Sequence, residues 1–250
     1  MVHPACPPGG GVIRRTAAVA VVAVLAGCTG PPATVPATAT VVTFGDSVPA
    51  GTACGCTAFP DLYARRITAG SIDLARPGLT AAGMRAQLDT PQATDALRRA
   101  SVVLIMIGAN DLAAAFESGR GSAAYASAAA SVRRDVSASL SRIRAVRGAG
   151  LPVVVLGYWN VVEDGEVGHS DYGPDGAAEA ALATDRANEA LREGAEAADA
   201  IYLSTSAALK GADARDDPTE LLTSDGDHPN ARGHEAIAQA VYTALPDPRH

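Results

Sequence analysis

The chain has 250 residues, of which 48% are hydrophobic and 4% aromatic, and its formal net charge is −7 at pH 7. This length and apolar content suffice for one well-buried domain with a core of mainly aliphatic side chains. The acidic balance and the lack of a basic stripe argue against nucleic acid as a partner, because nucleic-acid binding needs clustered Lys and Arg.

The N-terminal forty residues have the features of an export signal. Arg14 and Arg15 precede an apolar stretch over 16–26, which is too short to span a bilayer and has the length of a signal-peptide core. The stretch ends in Leu-Ala-Gly-Cys at 25–28. This pattern is typical of a bacterial lipobox, in which Cys28 is lipidated and becomes the first residue of the mature protein.

We therefore predict a lipoprotein signal peptide over 1–27, lipidation at Cys28, a Pro/Thr/Ala-rich tether over 28–40 and a globular domain over 41–250. The predicted location is the outer face of a bacterial cell membrane, which the protein contacts only through its lipid anchor. An ordinary signal peptide with a nearby Cys, or an uncleaved anchor, is the alternative. We expect a monomer.

Apolar, β-branched runs alternate with Ala-rich amphipathic stretches through the globular part. The runs are Thr40–Phe44, Ser71–Leu74, Val102–Ile107, Val153–Leu156 and Ile201–Leu203. Such near-continuous apolar character is typical of central strands in a parallel sheet covered on both faces. Between Val132 and Val146, apolar residues recur every three or four positions, as in an amphipathic helix. The alternation predicts an α/β fold, a three-layer α/β/α sandwich around a mostly parallel five-stranded sheet.

Two small clusters follow the first two predicted strands, at positions where catalytic groups of parallel sheets are found. Gly-Asp-Ser at 45–47 makes Ser47 a candidate nucleophile on a tight turn, with a turn or helix-cap serine as the alternative. Gly78, in Arg-Pro-Gly-Leu-Thr, offers an unobstructed backbone N–H. Taken alone, this segment is more simply explained as a Pro-Gly turn.

Two further clusters supply an amide and an acid–base pair. Gly-Ala-Asn-Asp at 108–111 follows the most apolar run, and the Asn110 amide can donate to a developing oxyanion. Asp225 precedes His228 by three residues across a glycine, so its carboxylate can accept the Nδ1–H and leave Nε2 as a base. Asp227 is the rival carboxylate, although a residue adjacent to the histidine is poorly placed to reach the ring. Each cluster alone is also typical of a turn or a helix start.

In this order, the four clusters resemble the sequence blocks of the SGNH (GDSL-type) hydrolase family, over about residues 41–245. The G-x-N-D and D-x-x-H patterns are the most specific of them. The resemblance implies a flavodoxin-like fold and a serine esterase that works through an acyl-enzyme. It implies Ser47 as nucleophile, His228 as general base and Asp225 as the residue that orients the histidine.

The resemblance also implies an oxyanion hole made of the backbone N–H groups of Ser47 and Gly78 and the side chain of Asn110. This chemistry requires no metal and no cofactor. The first block departs from many relatives, which carry Leu or Ile where this chain has Val48. The following Pro49 stiffens the loop after the candidate nucleophile.

Tyr158, Trp159 and Asn160 follow the fourth predicted strand and are candidate substrate-binding residues. An exposed Trp159 would stack on a sugar or hold an acyl chain, and packing under the next loop is the alternative. The Gly- and Asp-rich segment 161–174 is predicted to be a loop at the pocket rim. The expected substrate is a small or medium acyl ester, either an O-acetyl glycan or a lipid-like ester. The alternative function is that of a non-catalytic surface lipoprotein that binds a glycan or a lipid.

Cys54 and Cys56 flank a single glycine in the loop after the candidate nucleophile. Because thiols oxidise outside the cytoplasm, we predict a disulfide between them, with two unbridged thiols as the alternative. A metal site is disfavoured, since no His or Cys cluster with ligand spacing accompanies the pair. His234, six residues after His228, is expected to face elsewhere on its helix.

Overall fold

The structure is a computed structural model that describes residues 39–119 and 121–246. The predicted signal peptide, nearly all of the predicted tether and the lipidation site at Cys28 lie outside the described residues. Within the described part of the chain, no helix is both long enough and apolar enough to cross a membrane.

Five parallel strands form one sheet in the order β2-β1-β3-β4-β5. They are β1 Thr40–Gly45, β2 Gly70–Asp73, β3 Val102–Met106, β4 Val153–Leu156 and β5 Ile201–Leu203. In the register, Phe44 of β1 lies beside Ile105 of β3, which lies beside Val155 of β4. The predicted strands are confirmed to within one residue at each end.

Burial separates the central strands from the edges. Every residue of β3 and β4 is buried, and β1 is buried beyond its first residue. The residues of β2 and β5 are exposed or half-buried. The prediction of central strands is therefore right for three runs and wrong for the two outer ones, because each of these has a neighbour on one side only.

Eight α-helices among the described residues surround the sheet, and two groups of them pack among themselves. They are α1 Phe59–Arg66, α2 Ala81–Gln87, α3 Pro91–Arg99, α4 Ala109–Glu117, α5 Ser122–Arg147, α6 Gly165–Glu196, α7 Ser206–Lys210 and α8 Ala231–Ala244. In one group α8 packs on α1 and α7, and in the other α5 packs on α2, α3, α4 and α6. The predicted three-layer α/β fold is confirmed.

The predicted loop over 161–174 is wrong from residue 165 onward, because α6 already begins at Gly165. The Asp164 carboxylate caps this helix by accepting the Gly165 N–H at 2.9 Å. A break follows at Gly173, whose φ of 62° lies in the left-handed region, and Pro174 then resumes the helix. The glycines and acids that suggested a loop serve as the cap and the kink of one long helix.

Candidate active site

A tight turn directly after β1 carries Ser47. The Asp46 N–H donates to the Met106 carbonyl at 3.1 Å, and the Thr52 N–H donates to the Ser47 carbonyl at 3.0 Å. A Cβ at Gly45 would lie 2.3 Å from the Met106 carbonyl oxygen, so the close approach of β1 and β3 requires glycine there. Ser47 therefore sits on a constrained turn at the carboxyl edge of the sheet.

Asp46, next to the candidate nucleophile, is 0% exposed. The Tyr158 hydroxyl donates to its Oδ2, and the Val48 N–H donates to its Oδ1 at 3.1 Å. Burial raises the pKa of Asp46 to about 7, and these two hydrogen bonds only partly oppose the rise. This environment of Asp46 was not predicted from the sequence, although the residue stands inside the Gly-Asp-Ser cluster.

The residues before α8 bring a carboxylate against the ring of His228. Asp225 Oδ2 lies 2.9 Å from His228 Nδ1. The side chain of His228 is 13% exposed, and its Nε2 is buried with no hydrogen-bond partner among the described residues. A carboxylate on Nδ1 fixes the tautomer that leaves the Nε2 lone pair free to accept a proton.

Asp225 is held by several donors on its other oxygen. Its Oδ1 accepts the Thr223 hydroxyl at 2.6 Å and the N–H groups of Asp227 and His228 at 3.0 Å each. Burial alone would raise the pKa of Asp225, but these hydrogen bonds and the one from the His228 ring lower it to about 2. Asp225 is consequently ionised at neutral pH.

Asp227 lies farther from the ring, with its Oδ2 3.6 Å from His228 Nδ1. Burial raises the pKa of Asp227, and the neighbouring His228 opposes the rise. The two carboxylates thus differ in distance from the ring and in the direction of their pKa shifts. Geometry favours Asp225 as the partner of the ring.

The segment after β2 is tied to the start of α4 by two side chains. Asn110 Nδ2 donates to the Leu79 carbonyl at 2.9 Å, and the Asp111 carboxylate accepts the Ala81 N–H at 3.0 Å. The second Asn110 amide hydrogen has no partner within the described ranges. Gly78 precedes Leu79 on an exposed turn with a φ of 74°. The predicted second and third blocks therefore lie next to each other.

A cavity of about 160 Å³ opens at Ser47. Its lining includes Ser47, Asn110, Ala113, Val162 and Asp227. We call it the Ser47 cavity. It places the candidate nucleophile, the candidate oxyanion amide and the residue next to His228 around one space.

A sequence model of the GDSL-like lipase/acylhydrolase family matches residues 43–236. The chain belongs to this family. It is thus a carboxylic ester hydrolase that acts on a small-molecule ester. The match spans the Ser47 turn, the Asn110 block and the Asp225–His228 block. Comparison with curated proteins gives no match.

Solved structures of lipases and esterases share the fold of this GDSL-like hydrolase. The lipase Lip_vut3 from a goat rumen metagenome has a TM-score of 0.67 and 22% identity, covering 84% of this chain and 99% of its own. Phospholipase A1 from Streptomyces albidoflavus has a TM-score of 0.63 and 22% identity, covering 83% and 99%. A catalytic mutant of Axe2, an acetylxylan esterase from Geobacillus stearothermophilus, has a TM-score of 0.59 and 16% identity, covering 84% and 94%.

The aromatic residues after β4 of this GDSL-like hydrolase are not exposed. Tyr158 and Trp159 are 1% and 5% exposed and belong to the hydrophobic core, although both also line the Ser47 cavity. Asn160 Oδ1 accepts the Val161 N–H and the Thr184 hydroxyl, at 2.9 Å each. Trp159 is therefore a packed wall of the site and no open stacking platform.

A second, polar cavity of about 250 Å³ lies beside the first and shares Trp159, Asn160 and Glu163 with it. Its lining also includes Asp164, His169, Asp185, Asn188, Ser206 and Lys210. We call it the Lys210 cavity. Lys210 Nζ contacts the Asp164 carboxylate at 2.7 Å, and both side chains are largely buried. This cavity was not predicted from the sequence, although Lys210 is the only lysine of the chain.

Cys54 and Cys56 are joined by a disulfide in the loop after Ser47, with their Cα atoms 5.1 Å apart. His234 of α8 is 0% exposed and accepts the Phe59 N–H on its Nδ1 at 3.2 Å. A ring nitrogen of His234 lies within 4.8 Å of both cysteine sulfurs. The fold thus places a histidine from α8, far away in the sequence, next to the two cysteines.

Proposed function

We propose that the chain is a serine esterase that cleaves small acyl esters through Ser47, His228 and Asp225. The observation that carries the proposal is the pairing of His228 Nδ1 with Asp225 Oδ2 at 2.9 Å, while Nε2 is buried and has no partner in the described part of the chain. A histidine with a purely structural role does not need a carboxylate on Nδ1 and a free Nε2 lone pair. The Ser47 turn and the Asn110 amide around the Ser47 cavity supply the remaining groups.

The proposed reaction has two acyl-transfer steps. Ser47 Oγ attacks the ester carbonyl while His228 Nε2 takes its proton, and the ionised Asp225 stabilises the resulting imidazolium. The free Asn110 amide hydrogen, with the N–H groups of Ser47 and Gly78, donates to the oxyanion. Each such donor raises kcat by a factor of about 10²–10³. His228 then protonates the leaving alcohol, and water releases the acid by the same route.

The size of the Ser47 cavity supports a short acyl group. Its volume is about 160 Å³, whereas sites for drug-sized ligands occupy roughly 300–1,000 Å³. Ala113 and Val162 supply apolar wall. We therefore propose acetyl or another short acyl group as the acid part of the substrate, in preference to a long fatty acid.

The Lys210 cavity supports a polar, uncharged alcohol part. Carboxylates of Glu163, Asp164 and Asp185 line it together with the single cation of Lys210, which Asp164 already pairs. An acidic, hydrogen-bonding space favours hydroxyl groups and repels phosphate. We therefore propose an O-acylated sugar or similar polyol over a phosphate-bearing lipid.

The proposed cellular site follows from the first forty residues, which lie outside the described structure. The basic pair, the short apolar stretch and the Leu-Ala-Gly-Cys ending support export and lipid anchoring at Cys28. A surface tether would place the hydrolase next to extracellular glycans. This placement is independent of the catalytic proposal.

Fluorophosphonate labelling of the full chain tests the proposed nucleophile. We expect label on the peptide that contains Ser47, and its loss in Ser47→Ala and His228→Ala. Ser204→Ala, in the exposed segment after β5, is the matched control and should label fully. A folded wild-type chain that takes no label would contradict the esterase proposal and favour the non-catalytic binding lipoprotein.

A further inference from the structure

The loop between Ser47 and α1 holds a disulfide that solvent can reach. Cys54 and Cys56 are half-buried, and Gly55 between them is exposed with a φ of 59°. The left-handed glycine closes the turn that brings the two sulfurs together. A thiol reagent therefore has access to a bond that lies on the same loop as the candidate nucleophile.

One buried ring faces this disulfide from α8. A ring nitrogen of His234 lies within 4.8 Å of both sulfurs. Its Nδ1 accepts the Phe59 N–H at 3.2 Å, and burial lowers the pKa of His234 to about 4. The ring is thus neutral at pH 7 with its proton on Nε2, which is buried and has no partner among the described residues.

The tautomer decides what this cluster can do. A metal ion would need the Nε2 lone pair, but the Phe59 N–H places the ring proton there. Nε2–H is a donor without an acceptor, and a buried unsatisfied donor destabilises the state that contains it. A thiolate is a strong acceptor and a disulfide sulfur is a poor one, so a thiolate that comes within hydrogen-bond distance of Nε2 on reduction would satisfy this donor.

The two arginines near the cysteines are already paired with carboxylates, so the His234 ring is the group that we expect to stabilise a cysteine thiolate. Arg66 of α1 and Arg232 and Glu235 of α8 line the groove of about 650 Å³ beside Cys56. Arg66 pairs with Glu235 at 2.5 Å, and Arg232 pairs with Glu220 at 3.3 Å. The groove gives a reductant room to approach, and its two cations are already neutralised.

We propose that Cys54 and Cys56 form a thiol–disulfide exchange site whose reduced state is stabilised by a hydrogen bond from His234 Nε2–H to a cysteine thiolate. The reductant is a thiol of low molecular mass or a dithiol. Its thiolate attacks one sulfur, the S–S bond breaks, and the other cysteine leaves as the thiolate that accepts the Nε2–H. A second thiol then displaces the first cysteine, so that two thiols are oxidised to one disulfide as the protein disulfide is reduced.

The test uses two variants of His234 with opposite hydrogen-bonding patterns. His234→Asn keeps an acceptor near the Nδ1 position for the Phe59 N–H and removes the donor, whereas His234→Gln keeps an N–H donor near the Nε2 position. The full chain is equilibrated with reduced and oxidised glutathione, alkylated, and the peptide containing Cys54 and Cys56 is quantified by mass spectrometry. This readout does not involve ester cleavage, so its failure is separate from failure of the proposed function.

We expect the equilibrium constant for reduction to fall about tenfold or more in His234→Asn, as for loss of one hydrogen bond to a charged group, and to stay near the wild-type value in His234→Gln. Equal constants in wild type and a folded His234→Asn would overturn the proposal.

If His234→Asn fails to fold, the pKa values of the two thiols are measured from the pH dependence of alkylation of the reduced wild type. One thiol must then titrate at least a full unit below the free-cysteine value of about 8.5, and two ordinary thiols would overturn the proposal. Stoichiometric zinc binding by the reduced wild type that is lost in His234→Gln would also overturn it, since zinc needs the Nε2 lone pair.

Discussion

Asp225 Oδ2 lies 2.9 Å from His228 Nδ1, whereas Asp227 Oδ2 lies 3.6 Å from the same nitrogen. Asp225 also carries three further hydrogen bonds on Oδ1, which keep it ionised. The carboxylate that is nearer in sequence, Asp227, is thus the one farther from the ring nitrogen. The backbone turn between them decides which one reaches the ring.

Exchanging each carboxylate for an amide tests this difference. Asp225→Asn is expected to lower kcat by about 10³–10⁴, because an amide favours the wrong tautomer of the ring. Asp227→Asn is the matched control and should lower kcat by less than about tenfold. Initial rates on p-nitrophenyl acetate measure both. Equal losses in the two variants would remove the distinction.

Asn110 is expected to act in the transition state. Asn110→Ala should lower kcat by about 10²–10³ with a much smaller change in KM. Asn110→Asp keeps the size of the side chain but replaces the donor with an acceptor, so its loss should be at least as large. Thermal unfolding of both variants checks that loss of the bond to Leu79 has not unfolded the site. A change confined to KM would assign Asn110 to ground-state binding.

Asp46 makes the stability of the fold depend on pH. Folding raises the pKa of Asp46 from 3.8 to about 7, so its contribution is complete below about pH 4 and is lost as the pH rises through about 7. Relative to Asp46→Asn, the free energy of unfolding of the wild type should fall by on the order of 3 kcal/mol over this range. Denaturant unfolding at pH 4.5 and pH 8 measures the difference. Tyr158→Phe removes a hydrogen bond that lowers this pKa, so the fall should extend to higher pH and become larger.

The Lys210 cavity should distinguish substrates by their alcohol part. Asp185→Ala removes a carboxylate from its lining and is expected to lower kcat/KM on an acetylated monosaccharide by about tenfold. Activity on p-nitrophenyl acetate should stay unchanged, since its nitrophenol part has no sugar hydroxyls for the Lys210 cavity to bind. Arg192→Ala, on the exposed face of α6, is the control. An equal loss of kcat/KM on both esters would show that Asp185 does not act in recognition of the alcohol part.

Lipid anchoring is tested by labelling cells with a radioactive fatty acid. Cys28→Ser should abolish incorporation of the label, because the modified thiol is gone. Cys6→Ser, which changes a cysteine upstream of the apolar stretch, should leave the incorporation intact. Label that persists in Cys28→Ser would refute the lipoprotein prediction.

The strands and the blocks at their ends were predictable because their signals are local. Apolar β-branched runs such as Val102–Met106 mark buried strands, and the Gly-Asp-Ser and Asp-x-x-His clusters are each a few residues long. The segment 165–174 was misjudged, since the same glycines and acids serve turns, caps and kinks. Trp159 could not be placed, because burial of an aromatic depends on what packs over it.

The α/β fold, the family and the candidate groups Ser47, Asn110, Asp225 and His228 could be predicted from sequence patterns. The contacts between residues far apart in the chain depend on how the elements pack. Phe59 and His234 are 175 positions apart, yet they bond beside the Cys54–Cys56 disulfide. Tyr158 reaches Asp46 from a different strand end, and Lys210 joins Asp164. Periodicity and short motifs record the neighbours along the chain, whereas these contacts arise where the carboxyl ends of parallel strands and the packed helices converge.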